Sequence, residues 1–247
     1  MKDLFTLRKV FEIGGIVAGV VLIAFGIATL VIGVNGRSTV HNTLAQEQIV
    51  GSPDMTPAAI APGVQGILAS QQKITAAQVK AGVPADQRFV FSGISAPSCS
   101  AAGTLVGNGE TARCFAQYMR IHALEASGGL TYAQMGRYVA KPGTPAKFTD
   151  FNGATSIDTY ALVDATTKQP VANHARDLWV TETALTTALN TSYMAERISL
   201  FGLMVGLTLL LSGFGFAILA IGGALRRIAR PASEPSKRRI PTSVPTA

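Results

Sequence analysis

The sequence predicts a mainly α-helical membrane protein in which two transmembrane helices extend as stalks and carry a small α+β domain outside the membrane. Two long stretches, residues 13–34 and 198–225, contain no charged residue. The first has 22 residues, enough to cross about 30 Å of hydrocarbon at about 1.5 Å per residue. The second is longer still. The distribution of charge is the third observation, because it gives the two stretches a direction.

Positive charge is concentrated at the two ends of the chain. Of 21 basic and 14 acidic residues, 12 and 11 lie within 35–197, so this middle is nearly neutral while the ends carry a net +6. Lys and Arg accumulate on the cytoplasmic side of membrane spans, so both termini are expected in the cytoplasm of a bacterial cell and the middle outside the plasma membrane. A basic surface for nucleic acid is not expected, since the charge is not spread over a domain.

The predicted organisation has five parts. A cleaved signal peptide is the alternative for the first apolar stretch, but that stretch is longer than the 7–15 residues of a signal core and leads into Asn35-Gly-Arg37 rather than a small-residue cleavage site. The parts are a cytoplasmic N-terminus (1–12), the first span (13–34), the extracytoplasmic domain (35–197), the second span (198–225) and a disordered, basic cytoplasmic tail (226–247).

The first helix is expected to continue beyond the membrane as a stalk until Gly51-Ser-Pro53 ends it. Three prolines among small residues predict an extended linker over 53–66, and a short helix follows over 67–81. Aromatic and β-branched residues predict a strand over 88–94. Gly107-Asn-Gly-Glu110 predicts a tight turn.

An apolar stripe predicts the central helix over residues 113–126, closed by Gly128 and Gly129. Thr131-Tyr-Ala-Gln134 predicts a capped second helix. Residues 141–156 are expected to be a loop and 157–163 a strand, and a helix from about 173 should run unbroken into the second span. We expect its stalk part, 178–196, to pair antiparallel with residues 38–48, bringing Val40, Leu44 and Ala45 against Leu185, Leu189 and Tyr193.

Cys99 and Cys114 are the only cysteines, and both lie in the predicted extracytoplasmic domain. An even count in an oxidising compartment predicts one disulfide. The alternative is a pair of free thiols, whereas the CxxC spacing of a zinc site is absent.

Small residues recur along both spans. Glycine lets helix backbones approach closely in lipid, which predicts a packing role, although glycine is common in membrane helices in any case. The residues concerned are Gly19, Gly26, Gly33, Gly202, Gly206 and Gly213. Neither span has an internal ionisable residue, so a transporter or pump acting alone is not expected.

His122 and Glu125 are the one pair that chemistry could use, because residues three apart on a helix lie on adjacent turns. A surface pair without a role is the alternative, since two ligands do not make a site. No nucleophile elbow and no phosphate-binding loop occurs in the sequence. We therefore expect no enzyme, no metal and no other cofactor.

Three stretches, residues 44–49, 122–132 and 190–201, resemble a family of small actinobacterial membrane proteins with two spans. Some members carry the label "aromatic ring-opening dioxygenase", which implies a non-haem iron held by two histidines and a carboxylate. Only His41, His122 and His174 occur here, without such a cluster. The resemblance implies location and architecture, and no functional residue is carried over.

The expected function is that of an accessory or scaffold protein whose outer domain binds another envelope component. Its surroundings are the lipid bilayer, and its partner another membrane protein or a second copy of the chain. The alternative is a ligand- or lipid-binding module that senses or carries an envelope molecule. An apolar cavity of several hundred cubic ångströms with a few convergent polar groups favours that alternative.

Overall fold

The structure is a computed structural model that describes residues 2–89, 91 and 93–222, with side chains from residue 9 onward. It is mostly helical, at 66%, and divides into two compact units. The apolar unit contains the described residues up to Val34 and from Leu200, and the head unit contains Asn35–Ser199. The predicted tail over 226–247 lies outside the described residues.

Four α-helices form the framework: α1 (Lys2–Gln46), α2 (Pro57–Lys80), α3 (Gly109–Ala126) and α4 (His174–Ile221). Helices α1 and α4 are each long and apolar enough to cross a membrane. The prediction that one unbroken helix runs from about residue 173 into the second apolar stretch is confirmed as far as Ile221, and residues 223–225 of that stretch lie outside the described residues.

Helix α2 replaces the extended linker predicted over 53–66, and that prediction is wrong. Thr56 caps the helix, its hydroxyl accepting from the Ala59 N–H at 3.2 Å, and Pro57 occupies the first turn, where its missing N–H costs nothing. Pro62 lies inside the helix at a cost of about 3 kcal/mol. Burial of apolar side chains at about 1.5–3 kcal/mol each outweighs that cost. Four such side chains are buried, namely Ile60, Val64, Ile67 and Ile74.

Helix α3 begins at Gly109, so the turn predicted over 107–110 is also wrong. Asn108 is its N-cap, and the side-chain oxygen accepts from the Thr111 N–H at 2.9 Å. The predicted end is confirmed: Gly128 and Gly129 have φ of +61° and +85°, and the Gly129 N–H donates to the Leu124 carbonyl at 2.7 Å.

The sheet has two short antiparallel strands, β1 (Tyr138–Val139) and β2 (Ala154–Thr155), with Tyr138 opposite Thr155. The strands predicted over 88–94 and 157–163 are wrong for the described residues. A 3₁₀ turn over Asp158–Tyr160 interrupts the second of them, leaving only isolated bridges at Ala161 and Val163. The segment 141–156, which was predicted to be a loop, contains β2.

The capped helix predicted after Thr131 is one 3₁₀ turn, Tyr132–Gln134. The Thr131 N–H donates to Gln134 Oε1 at 2.6 Å, as the capping pattern predicts.

The core of the head unit lies where α2, α3 and the polar parts of α1 and α4 meet. Tyr118 is fully buried at its centre, and its hydroxyl donates to the Cys99 carbonyl at 2.6 Å. Leu44 and Leu189 are both buried in this core, with Val40 and Leu185 packed against it. The stalk parts of α1 and α4 thus share one core, while the individual contacts predicted between them stay predictions.

Candidate functional site

A buried carboxylate joins three helices at the start of α3. Glu196 is 7% exposed, and its Oε1 lies 2.9 Å from His41 Nε2 and 3.3 Å from Arg37 Nε. Its other oxygen accepts from the Gly109 N–H, the first residue of α3, at 2.5 Å. A carboxylate at a helix N-terminus is favoured by the helix dipole. We call Arg37, His41, Gly109 and Glu196 the junction.

Opposing effects set the pKa of Glu196. Burial raises the pKa, but hydrogen bonds from His41 and Gly109, together with the charges of His41 and Arg37, outweigh it and hold the pKa below its ordinary value of 4.5. The junction therefore stabilises the ionised form of Glu196. Because its residues come from α1, α3 and α4, the junction is a structural joint between these helices.

The predicted pair His122 and Glu125 is in contact, with His122 Nδ1 3.2 Å from Glu125 Oε2. A third group, which the sequence did not indicate, faces the other ring nitrogen: Asp54 Oδ2 lies 3.4 Å from His122 Nε2. The Ser52 hydroxyl donates to Asp54 rather than to the ring. No group of three or more His, Cys, Asp or Glu among the described residues could hold a metal ion. This arrangement ties the loop before α2 to α3.

The predicted glycines of the two apolar stretches lie opposite one another within the apolar unit. A Cβ on Gly19 would lie 2.9 Å from the Gly213 carbonyl oxygen, and one on Gly26 3.0 Å from that of Gly206. Gly202 is looser, since the nearest atom to its Cβ would be 3.8 Å away, and it lies beside Gly33. Backbones that approach this closely leave no room for a larger residue.

Cys99 and Cys114 form a disulfide bond. It connects the loop before α3 to the second turn of that helix, close to the buried Tyr118 hydroxyl. The predicted disulfide is confirmed.

A cavity of about 720 Å³ lies between the C-terminal half of α2 and the loops that follow α3. Its apolar lining includes Ile74, Val83, Phe89, Leu130 and Phe151. Five polar side chains also line it, namely Gln78, Gln134, Lys147, Thr149 and Asp150. A mostly apolar lining with few polar groups, at this volume, is typical of small-molecule sites. We call this space the cavity.

Asp150 also lines the cavity, but its carboxylate is already used. It accepts from three backbone N–H groups, those of Gly136, Asn152 and Ala154, at 2.7–2.9 Å. Gln78 differs, because its Oε1 is buried without a hydrogen-bond partner among the described residues. An unpaired buried acceptor costs about 1–3 kcal/mol, so a ligand donor that reached this oxygen would recover that cost.

A small polar pocket of about 150 Å³ adjoins the cavity and shares Phe89 and Gln134 with it. On its other side lies a groove of about 600 Å³ along α2, which shares Gln71, Phe91 and Gly93 with the pocket. The three spaces therefore form one series along α2. Arg120 of α3 and Thr131 also line the polar pocket, together with the apolar Ile94 and Leu124.

Glu182 is a second buried carboxylate of α4, and it differs from Glu196. It is 3% exposed, and its Oε1 has no hydrogen-bond partner within the described part of the chain. Burial raises the pKa of Glu182, opposed only partly by the charge of Arg120 and by the Thr183 and Thr186 hydroxyls. The Arg120 guanidinium lies over the Trp179 ring, 5.4 Å from its centroid.

Sequence reasoning missed the cavity, Arg120 and both buried glutamates. One signal was available for the glutamates. Glu182, Leu189 and Glu196 are spaced by seven residues, which places two carboxylates on the buried face of one helix. No comparable signal marks the cavity, since its lining comes from four separate segments.

No family model, curated protein or solved structure matches the chain. The resemblance to the actinobacterial two-span family therefore stays a prediction.

Proposed function

We propose that this chain is a non-enzymatic, two-span protein of the bacterial plasma membrane whose head unit binds an apolar or amphiphilic small molecule, such as an envelope lipid. Both termini lie in the cytoplasm and the head unit outside, because the basic residues flank the two charge-free stretches on their terminal sides. The disulfide agrees with an oxidising compartment.

The observation that carries this proposal is the cavity with its unpaired Gln78 oxygen. Its volume of about 720 Å³ falls within the range of about 300–1,000 Å³ that ligand sites occupy. Its lining offers apolar surface for a chain or ring, and Gln78 offers an acceptor for a ligand hydroxyl or amide. Binding rather than catalysis follows, because no nucleophile with an adjacent base faces the cavity among the described residues.

The test uses the full-length protein in nanodiscs of zwitterionic lipid and decanamide, a neutral chain with an amide donor, followed by calorimetry with empty nanodiscs subtracted. Ala77 lines the cavity, so Ala77→Phe should fill part of it and weaken binding by about tenfold or more, the equivalent of about 1.4 kcal/mol. Ala69→Phe is the matched control, since Ala69 is an exposed residue of α2. Equal affinity of both variants and the unmodified protein would count against the cavity as the site.

The scaffold function is a second candidate, and one observation favours it. Val139, Leu162 and Val163 are all exposed, and the Leu162 N–H donates to the Val139 carbonyl at 2.8 Å, which brings these exposed apolar residues onto neighbouring segments. Apolar patches on a polar surface often mark protein interfaces. Leu162→Asp should then abolish the recovery of a membrane-protein partner after mild solubilisation at native expression, with decanamide binding unchanged. Recovery of the chain alone in every sample would remove this candidate.

A further inference from the structure

The polar pocket beside the cavity offers hydrogen-bond donors, although Gln71 also lines it and its amide already donates to the Gly129 carbonyl at 3.4 Å. Gln134 Oε1 already accepts from the Thr131 N–H at 2.6 Å and from its hydroxyl at 2.9 Å. The remaining polar group of Gln134 is its amide N–H₂, which only donates. Arg120 adds a guanidinium with five N–H donors.

No carboxylate neutralises Arg120 at close range. Among the described residues no ion pair includes its guanidinium, which lies over the Trp179 ring, 5.4 Å from its centroid. Glu182 is near enough for its charge to be felt, but it is deeply buried. Arg120 is itself exposed, so an incoming group can reach it.

We propose that Arg120 binds the anionic head group of an acyl-chain amphiphile whose chain occupies the cavity. The guanidinium matches a carboxylate or phosphate with two parallel hydrogen bonds, and the Gln134 amide supplies a further donor. Phe89 lines both the pocket and the cavity, so a chain that leaves the head group passes along this ring into apolar surroundings. This inference rests on the proposed function, because the chain needs the cavity.

Lys147 is the competing cation, since it also lines the cavity. Its ammonium lies 4.8 Å from the centroid of the Phe148 ring, and the residue is exposed. It faces the large cavity rather than the small donor-lined pocket, and a lone ammonium lacks the planar fork that fixes a carboxylate. Lys147 is therefore the matched control for Arg120.

The test compares decanoate with decanamide, which have the same chain and nearly the same shape but differ in charge. Both are titrated near neutral pH into the full-length protein in zwitterionic nanodiscs. Calorimetry gives the affinities, and the fluorescence of Trp179, the single tryptophan, reports the surroundings of Arg120. The unmodified protein should bind decanoate about tenfold or more tightly than decanamide. Trp179 emission should change more with decanoate.

Arg120→Gln should bring this preference to about one by weakening decanoate binding much more than decanamide binding, and the decanamide binding that remains shows that the head unit is folded. Lys147→Gln should retain the preference. Equal affinities for the two ligands in the unmodified protein, or loss of the preference in Lys147→Gln instead, would overturn the role of Arg120 and leave the proposed function standing. Failure of the folded protein to bind either ligand would overturn both.

Discussion

The junction and the region around Arg120 use the same kind of residue in opposite ways. At the junction, both oxygens of buried Glu196 have partners on two other helices. Near Arg120, Glu182 keeps a buried oxygen without a partner among the described residues, and so does Gln78 in the lining of the adjoining cavity. A buried polar group with full hydrogen bonding fixes a structure, whereas an unpaired one costs stability and is retained where function needs it. The comparison separates a structural joint from a binding region.

The largest effect should come from breaking the junction. Glu196→Ala removes the partner of Arg37, His41 and the Gly109 N–H, so the free energy of unfolding of the head unit should fall by about 3 kcal/mol. Thermal and denaturant unfolding in nanodiscs measure this change. Glu110→Ala is the control: Glu110 pairs with Arg197 on the exposed surface, so its loss should cost under about 1 kcal/mol. Similar losses for both variants would remove the distinction.

The disulfide holds α3 at Cys114, which lies between Gly109 of the junction and Arg120. Its loss should therefore weaken the helix that the junction and the region around Arg120 share. Cys114→Ser opens a loop of sequence separation 15 and should lower the free energy of unfolding by about 3 kcal/mol. The double variant with Cys99→Ser should lose no more than the single one. An unchanged unfolding midpoint, or two titratable thiols in the oxidised protein, would contradict the bond.

A smaller effect of opposite sign is expected at the two residues with an unpaired buried oxygen. Glu182→Gln removes a buried carboxyl whose ionised form is poorly compensated, and near neutral pH it should stabilise the protein by about 1 kcal/mol. Gln78→Met removes the unpaired oxygen and should stabilise by a similar amount while weakening decanamide binding several-fold. Destabilisation of 2 kcal/mol or more in either variant would show that these oxygens have partners in solution.

The two carboxylates should also differ in pH dependence. The pKa of Glu196 is lowered, so its contribution is present above its ordinary value of 4.5 and is lost as the pH falls through the folded-state pKa. The pKa of Glu182 is raised, so stability is lost as the pH rises from 4.5 through its folded-state value. The deficit of Glu196→Gln should therefore shrink in acid, and the gain of Glu182→Gln should vanish there. Parallel profiles of the two variants would contradict the assignment.

The sequence predicted the features that depend on local pattern. The apolar helices, the end of α3 at Gly128 and the cap at Thr131, though not the helix predicted after it, follow from hydrophobic periodicity and capping residues. It failed where packing overrides local preference. The linker predicted around Pro57 and Pro62 is helical because Ile60, Val64 and Ile67 are buried.

The candidate site was beyond sequence reasoning for a different physical reason. Gln78, Phe89 and Arg120 come from α2, the following loop and α3, and only tertiary structure brings them to adjoining spaces. Asp54 beside His122 is a similar case, since 68 positions separate them. The disulfide could be predicted because the chain offers only one pairing.

Native mass spectrometry tests the central claim most directly. The full-length protein, extracted gently from its own membranes, should carry a bound small molecule that is released on denaturation, because the cavity and its unpaired Gln78 favour occupancy. Ala77→Phe should appear mainly as the bare chain, and Ala69→Phe should retain the bound mass. A bare mass for all three folded proteins, with no binding of added decanamide, would contradict a ligand-binding head unit.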